Sequence, residues 1–365
     1  MFFDLRKAFD KVWHKGLLAK LSALGVSGVA LQWFRSYLSG RCQRTVVGRT
    51  FSSSRSLFAG VPQGAILSTL LFIIYTNDIP RGPSFEVNQF ADDTSVCVTS
   101  KSPEQLQARL HQAIQAVVAR FDKWLLSVNS SKTVLMVFRS KGMKPVHLGP
   151  EESHGTSLQQ VSTHKHLGLV FNETLSWSDH CHYVVSKMSK RIGLLFRLRR
   201  ILTPLIIREL YRSCIRPLAE YSSFAWSGIG VSESNRLEKV QRRAARRISG
   251  VSPQSDTPRP ILLSRAGLSE LSARRSAQLA LFCHRFLSRT LPSHFSDFIS
   301  DLWLPTKSVH SSFLCSASSL CLPRPHKAAL KQSPLYLSFS FWNSLSKDLQ
   351  SSSFSALKAH FSSLQ

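Results

Sequence analysis

A change of periodicity near Ser176 divides this chain. Before it, short apolar strands alternate with helical segments; beyond it only helical spacing remains. Residues 2–5 read as a short buried strand. Helices are expected at 15–24 and 29–38, with a break between Gly25 and Gly28. Residues 41–48 and 56–60 alternate like two strands of a hairpin. An apolar helix is expected at 65–77, and strands at 87–91 and 94–99 on either side of Asp92-Asp93. Residues 103–126 form the clearest helix: Leu106, Leu110, Ile114, Val117, Phe121 and Trp124 recur at three- and four-residue steps, behind a Ser102 cap and Pro103. Residues 133–138 and 166–171 read as further short strands, the second containing Gly168. Strands interleaved with helices on one antiparallel sheet predict an α+β domain of the split-βαβ kind over residues 1–175.

The spacing beyond predicts helices at 182–202, 204–221 and 232–249, making an all-helical basic domain over 176–250. It carries Lys187, Lys190, Arg191, Arg197, Arg199, Arg200, Arg242, Arg243, Arg246 and Arg247. A Ser/Pro-rich stretch at 252–260 opens a third region, 251–365. One helix is expected there at 268–287, then a loosely ordered, Ser-rich tail.

Charge narrows the partners. Lys and Arg total 47 against 21 Asp and Glu, a formal charge of +26. Such an excess favours a polyanion, and nucleic acid before a membrane surface, since no lipidation motif or basic amphipathic anchor stands out. Seven cysteines without regular spacing argue against a disulfide framework and for a reducing compartment. The apolar run 65–75 is too short to span a bilayer. The first residues, Met1-Phe2-Phe3-Asp4-Leu5-Arg6, lack the pattern of a signal peptide. An intracellular, non-secreted chain is expected. His180-Cys181-His182 and the pair His164 and His166 are expected not to ligate metal, because adjacent residues cannot all face one tetrahedral ion.

Three segments carry candidate chemistry. Phe90-Ala91-Asp92-Asp93-Thr94 places adjacent carboxylates between strands. Their repulsion calls for cations, and magnesium is the oxygen-seeking ion that suits them; an ordinary Asp-Asp turn is the alternative. Asp4 leaves the first strand and can meet that tip, or it caps the helical segment that follows. Three carboxylates so gathered could hold two magnesium ions about 3.5–4 Å apart. Gly60-Val61-Pro62-Gln63-Gly64 forms a tight loop ahead of an apolar helix, or simply a helix start.

The order of these segments is what is specific. Phe3-Asp4-Leu5-Arg6-Lys7-Ala8-Phe9-Asp10, Gly60-Val61-Pro62-Gln63-Gly64 and Phe90-Ala91-Asp92-Asp93 resemble motifs A, B and C of reverse transcriptases from non-LTR, LINE-type retrotransposons. Trp124-Leu125-Leu126-Ser127-Val128-Asn129-Ser130-Ser131-Lys132-Thr133 is similar to motif D. His166-Leu167-Gly168-Leu169 is similar to motif E, the primer grip. A looser resemblance runs through 237–275 and reaches Trp342-Asn343-Ser344-Leu345. It implies a polymerase palm at 1–175, a helical thumb at 176–250, and RNA-directed DNA synthesis. The partners would be an RNA template, a DNA primer and deoxynucleoside triphosphates, in a nuclear or cytoplasmic ribonucleoprotein.

By matching position, Asp4, Asp92 and Asp93 would ligate two Mg2+, with Mn2+ as a substitute. Phe9 would gate against a ribose 2′-OH, Gln63 and Gly64 would meet nucleotide or template, and Lys132 would be the general acid for pyrophosphate. The ten basic residues of the thumb would track phosphates. Asp10 is expected to ion-pair with a nearby base. Met1 lies three residues before Asp4, so the family's fingers region and endonuclease are expected to be missing, leaving either a truncated polymerase or an inactive nucleic-acid-binding remnant. Ala65 and Thr69 depart from the family's usual Ser and Pro.

Overall fold

A computed structural model of the chain describes residues 1–153, 155–198, 201–252, 254–292, 322 and 331–363. Contacts divide it into two compact units, residues 1–168 and 169–365.

The first unit is built on a mixed sheet. Its strands are β1 (Phe2–Phe3), β6 (Glu86–Phe90), β7 (Asp93–Cys97), β8 (Val134–Leu135) and β11 (Gln159–Gln160), in the order β11-β8-β1-β7-β6. β1 is central and antiparallel to both neighbours, Phe2 lying opposite Ser95 and Val134, and Phe3 opposite Thr94. The expected purely antiparallel sheet is corrected at one edge, where β11 runs parallel to β8. The chain between them, residues 136–158, is long enough to return in the same direction, which a tight hairpin cannot do. It carries a small ladder of β9 (Glu152–Ser153) and β10 (Thr156–Ser157).

Helices α1 (His14–Ala23), α2 (Gly28–Leu38), α3 (Ile66–Thr76) and α4 (Pro103–Lys123) complete this unit. α4 starts as its sequence dictates: the Ser102 hydroxyl accepts from the Gln105 N–H at 3.2 Å. It buries Leu110, Ala113, Ile114, Val117 and Phe121. Phe121 meets Phe3 edge-on at 5.8 Å, so the odd residues of β1 face the helices. The expected hairpin at 41–60 is broken into two exposed ladders. β2 (Cys42–Gln43) pairs with β5 (Arg55–Ser56), and β3 (Val46–Val47) pairs with β4 (Thr50–Phe51).

Asp78 ties the helices together. Its carboxylate accepts from Lys20 Nζ at 2.6 Å, Trp124 Nε1 at 3.0 Å and Arg120 at 3.1 Å. Lys20 also lies 3.9 Å from the centre of the Trp124 ring. Burial alone would push the Asp78 pKa up; the Lys20 bond and the surrounding donors and charges outweigh it and hold the carboxyl below its usual range.

The expected strand at 166–171 is two strands, β12 (Thr163–His166) and β13 (Leu169–Asn172). Leu167 and Gly168 between them have φ of 46° and 82°, left-handed turn geometry rather than strand.

The second unit is helical beyond β13. Its elements are α5 (Ser178–Leu198), α6 (Pro204–Leu210), a π-helical turn (Tyr211–Ile215), α7 (Arg216–Glu220), α8 (Val231–Ile248), α9 (Arg259–Ala266) and α10 (Leu271–Leu287). One core runs from Met188 and Trp226 through Leu237 to Leu262 and Leu271, across residue 250. Gln241 is fully buried in it, accepting from the Tyr211 hydroxyl at 2.8 Å and donating to the Ser269 carbonyl at 2.8 Å.

The expectation of a loosely ordered tail is corrected for residues 331–363. α11 (Pro334–Ser344), α12 (Lys347–Ser351) and α13 (Phe354–Ser363) lie there, and Phe339, Trp342 and Leu357 share a core with Cys283 and Phe286. The earlier part of that tail, residues 293–321 and 323–330, falls outside the described residues.

Candidate active site and nucleic-acid surface

The register of β1 on β7 carries Asp4 to the position opposite Asp93, one step past the Phe3–Thr94 pair. Directly opposed residues of antiparallel strands sit about 4.5–5.5 Å apart at Cα and share a face. Asp4, Phe2, Asp93 and Ser95 therefore lie on the face turned away from α4. Phe2 is flanked there by His164 and His166, with ring centroids 4.5 and 4.8 Å away. Burial holds both imidazoles below their usual pKa, while the charge of Asp93 pulls the other way.

The carboxylate tip is tighter than its sequence suggests. Phe90 pairs with Asp93, so the turn is Ala91-Asp92 and Asp93 is the first residue of β7. Ala91 takes a left-handed φ of 53°. Gln89 Nε2 fastens the turn to α3, donating to the Ala91 carbonyl at 3.0 Å and to Thr76 Oγ1 at 2.7 Å. Asp92 and Asp93 are exposed and Asp4 half-buried.

Asp4 is held by the segment after α4. Its N–H donates to Thr133 Oγ1 at 3.2 Å, its carbonyl accepts from the Asn129 N–H at 2.7 Å, and its Oδ2 accepts from Asn129 Nδ2 at 2.8 Å. Asn129 was part of a motif in the sequence without a role; only the fold reveals it as the residue that orients Asp4. Lys132 lies in the same open cleft of about 550 Å³ as Asp4, with Arg6, Lys7 and Lys11 also lining it.

The loop at 60–64 docks on the segment after Asp4. Val61 N–H donates to the Phe9 carbonyl and Gly60 N–H to the Val12 carbonyl, both at 2.8 Å. Gly60 has φ +92°, and a Cβ there would lie 2.8 Å from the Asp10 carbonyl oxygen, so both conformation and space demand glycine. Gly64, at φ +82°, occupies the third position of a turn closed by Ala65 N–H on the Pro62 carbonyl. Gln63 is exposed and donates to Asp10 Oδ1 at 3.2 Å. Asp10 makes no ion pair among the described residues, which corrects that expectation: the neutral amide is its partner. Phe9 is half-buried and stacks on Phe72 at 4.7 Å, so one ring face belongs to the core. Gln63, Asp10, Lys7 and Arg41 line a second cleft of about 540 Å³.

Asp4, Asp92 and Asp93 are of the type that takes an oxygen-seeking divalent cation. Their donors are hard oxygens, on adjacent strands, beside cationic side chains. Among the described residues, no three acidic, imidazole or thiol side chains are drawn together as a finished metal cage. The Asp4 carboxylate is instead engaged by Asn129.

In the helical unit Lys187, Lys190, Arg191, Arg197, Arg242 and Arg243 are exposed. Lys187 rests on the Tyr183 ring, and half-buried Arg247 lies 4.5 Å from the centre of Phe196. Arg246 is committed to structure, donating to the Ser252 and Ser255 carbonyls at 2.9 and 3.0 Å. Arg199 and Arg200 lie outside the described residues. Exposed Lys239, absent from the expected set, stands on α8 near Arg242 and Arg243.

The fold and site define an α+β unit with acids where two strands of one sheet converge, followed in sequence by a cationic helical unit. Residues 1–183 match the family model described as reverse transcriptase (RNA-dependent DNA polymerase), and the chain belongs to that family. Similar proteins come from transposons and a mobile element of Drosophila melanogaster. The probable RNA-directed DNA polymerase from transposon BS is 29% identical over 263 residues, and so is that from transposon X-element. The RNA-directed DNA polymerase from mobile element jockey is 28% identical over 262 residues. Each alignment covers 68% of this chain and 28% of the relative, so the chain spans well under a third of their length. Among the described residues, no helix is long and apolar enough to cross a membrane.

Proposed function

We propose that this chain is the palm and thumb part of a non-LTR retrotransposon polymerase, joining deoxynucleotides to a DNA primer 3′-OH on an RNA template. The observation that carries this reading is the register that sets Asp4 opposite Asp93 and beside the Asp92 turn. Asp4, Asp92 and Asp93 would hold two Mg2+, which supply activation of the primer hydroxyl and charge neutralisation at the triphosphate. Asn129 orients Asp4 for that task. Lys132, which lines the same cleft, would give a proton to departing pyrophosphate. Arg6, Lys7 and Lys11 add positive charge where triphosphate oxygens would lie. Phe9, anchored on Phe72, presents its remaining edge to the sugar, while the Gln63–Gly64 turn offers an amide and open backbone to the nucleotide or template. The exposed bases of α5 and α8 would follow the phosphates of the duplex without reading sequence.

The test supplies purified chain with poly(rA)–oligo(dT), dTTP and magnesium. Extension that Asp92→Asn abolishes is expected; binding of the duplex without extension would refute the polymerase and leave a nucleic-acid-binding remnant. That second reading draws on the Asn129 bond to Asp4, which competes with a metal for the same oxygen. Phe9→Ala is expected to raise ribonucleotide incorporation, and unchanged sugar selection would remove the gate.

A further inference from the structure

The stretch between Asp10 and Asp78 carries charge of one sign only, with eight Lys and Arg residues and no acid. Lys20 pairs with Asp78, whereas Arg35, Arg41, Arg44, Arg49 and Arg55 make no ion pair among the described residues. A single exposed aromatic on such a stretch would be ordinary. Here, however, α2 and the residues just after it carry a row of planar groups, Trp33, Tyr37 and Arg41.

Trp33 and Tyr37 are four residues apart and so neighbours on one side of α2. Their rings are stacked, 5.4 Å between centroids and 10° between planes. The Arg41 guanidinium lies 5.5 Å from the centre of the Tyr37 ring, within cation–π reach. Phe34 meets Trp33 edge-on at 5.1 Å, and Phe34 and Tyr37 both pack against the core, which fixes the row from its inner side. Arg41 is fixed from the other end, its carbonyl accepting from the Leu57 N–H at 2.8 Å. Arg41 also lines the cleft shared by Gln63, Asp10 and Lys7. The row therefore starts at that cleft and ends at Trp33, which is 51% exposed.

We propose that this row is a stacking platform for the unpaired part of an RNA template, on the 5′ side of the base being copied. What occupies the Gln63 cleft rests on the polymerase reading; the platform stands on its own rings and charges. Every base has a flat face, so an exposed indole at the end of a stack accepts one without reading sequence. The surrounding guanidinium groups neutralise the phosphates between bases, and this stretch has no carboxylate to repel them. An acidic polypeptide would satisfy the charge but leave the parallel rings without a purpose. A second copy of the chain would set the same positive charge against itself.

The probe is an RNA–DNA duplex whose RNA strand carries a 5′ overhang of about eight uridines, compared with the same duplex made blunt. Binding to the full chain is followed by fluorescence anisotropy without nucleotide, so that no extension intervenes. The overhang is expected to tighten binding about tenfold, the scale of one base stacked on an aromatic ring. Trp33→Ala should erase that gain and leave the blunt duplex bound as before, while Trp33→Phe keeps most of it. Iodouridine in the overhang should crosslink to Trp33 on irradiation, located by mass spectrometry in the unaltered sequence, so the test survives a variant that fails to fold. Equal affinity for the two duplexes, crosslinks confined to the helical unit, or Trp33→Ala weakening both duplexes alike would each overturn the proposal. So would a dimer in sedimentation that Trp33→Ala dissociates. A chain that crosslinks at Trp33 yet extends no primer keeps the platform and loses the polymerase; one that extends a primer with no crosslink in α2 does the reverse.

Discussion

Replacing Asp78 by alanine should be among the most damaging single changes in the first unit. The carboxylate takes three donors, from α1, from α4 and from the residue that ends α4. The three losses differ. Arg120 is about as exposed as Asp78 itself, at 32% and 35% of the side chain, so that bond counts for roughly 0–1 kcal/mol. Trp124 Nε1 loses a hydrogen bond of roughly 1 kcal/mol. Lys20 is different. Its side chain is only 11% exposed, and burial already lowers its pKa against the pull of Asp78. Left unpaired, it contributes a further penalty of about 2 kcal/mol, less than a fully buried pair because Asp78 is partly in water. The total is roughly 3–4 kcal/mol, which at a urea slope of ~1–3 kcal/mol per molar moves the midpoint by at least ~1 M. Hydrogen exchange on peptides from α4 assigns the loss to this unit. Adding Lys20→Met to Asp78→Ala should recover about half, because no buried cation then remains. A midpoint shift below ~0.3 M, or a double variant no more stable than the single one, would show that the network is ornamental.

Other outcomes follow from the same geometry. His180 is buried, and burial lowers its pKa to about 4, with Val170 N–H donating to its Nδ1. The unfolded group takes up its proton near 6.5, so stability of the helical unit should fall between about pH 6.5 and 4, by up to ~3 kcal/mol, and His180→Phe should flatten that slope in acid unfolding curves. Gly60→Ala should cost roughly 2–3 kcal/mol, from positive φ and the contact with Asp10, and lower the melting temperature. Gln241→Leu strands the Tyr211 hydroxyl and the Ser269 carbonyl in the core, at about 2–4 kcal/mol, measurable by urea unfolding. Arg242→Glu with Arg243→Glu should weaken duplex binding and reduce its log-log salt slope by about 2 without changing sequence preference, read by titration at several salt concentrations; an unchanged slope would place the duplex elsewhere.

What was legible in the sequence depended on how local the determining forces are. α4 could be read because its apolar stripe, Ser102 cap and Pro103 all act within one element. The Asp92 turn could be read because two acids break an otherwise strand-like run. Asn129 could not be assigned a role, because its bond to Asp4 spans 125 residues and nothing in the segment announces it. The parallel edge at β11 is made by two glutamines, whose side chains give no strand signal. α11 was obscured by serine, although Leu335, Phe339 and Trp342 stand at helical spacing and the last two are buried. Arg246 shows a partner that charge alone does not reveal, its Nη1 donating to the Ser252 and Ser255 carbonyls.

The fastening of the Ala91 turn to Thr76 has a mechanical meaning. α3 begins directly after the Gln63–Gly64 turn and ends at Thr76, where Gln89 links it to the hairpin that bears Asp92. A rigid rod about 16 Å long, at 1.5 Å per residue over eleven residues, thus joins two distant loops. Pushing on one end displaces the other, so an occupant at Gln63 would be felt at the acidic tip. Gln89→Leu cuts the rod's far coupling; hydrogen exchange at Ala91 and Asp92 should then no longer respond to a nucleotide that still binds, and an undiminished response would show that the signal travels by another route.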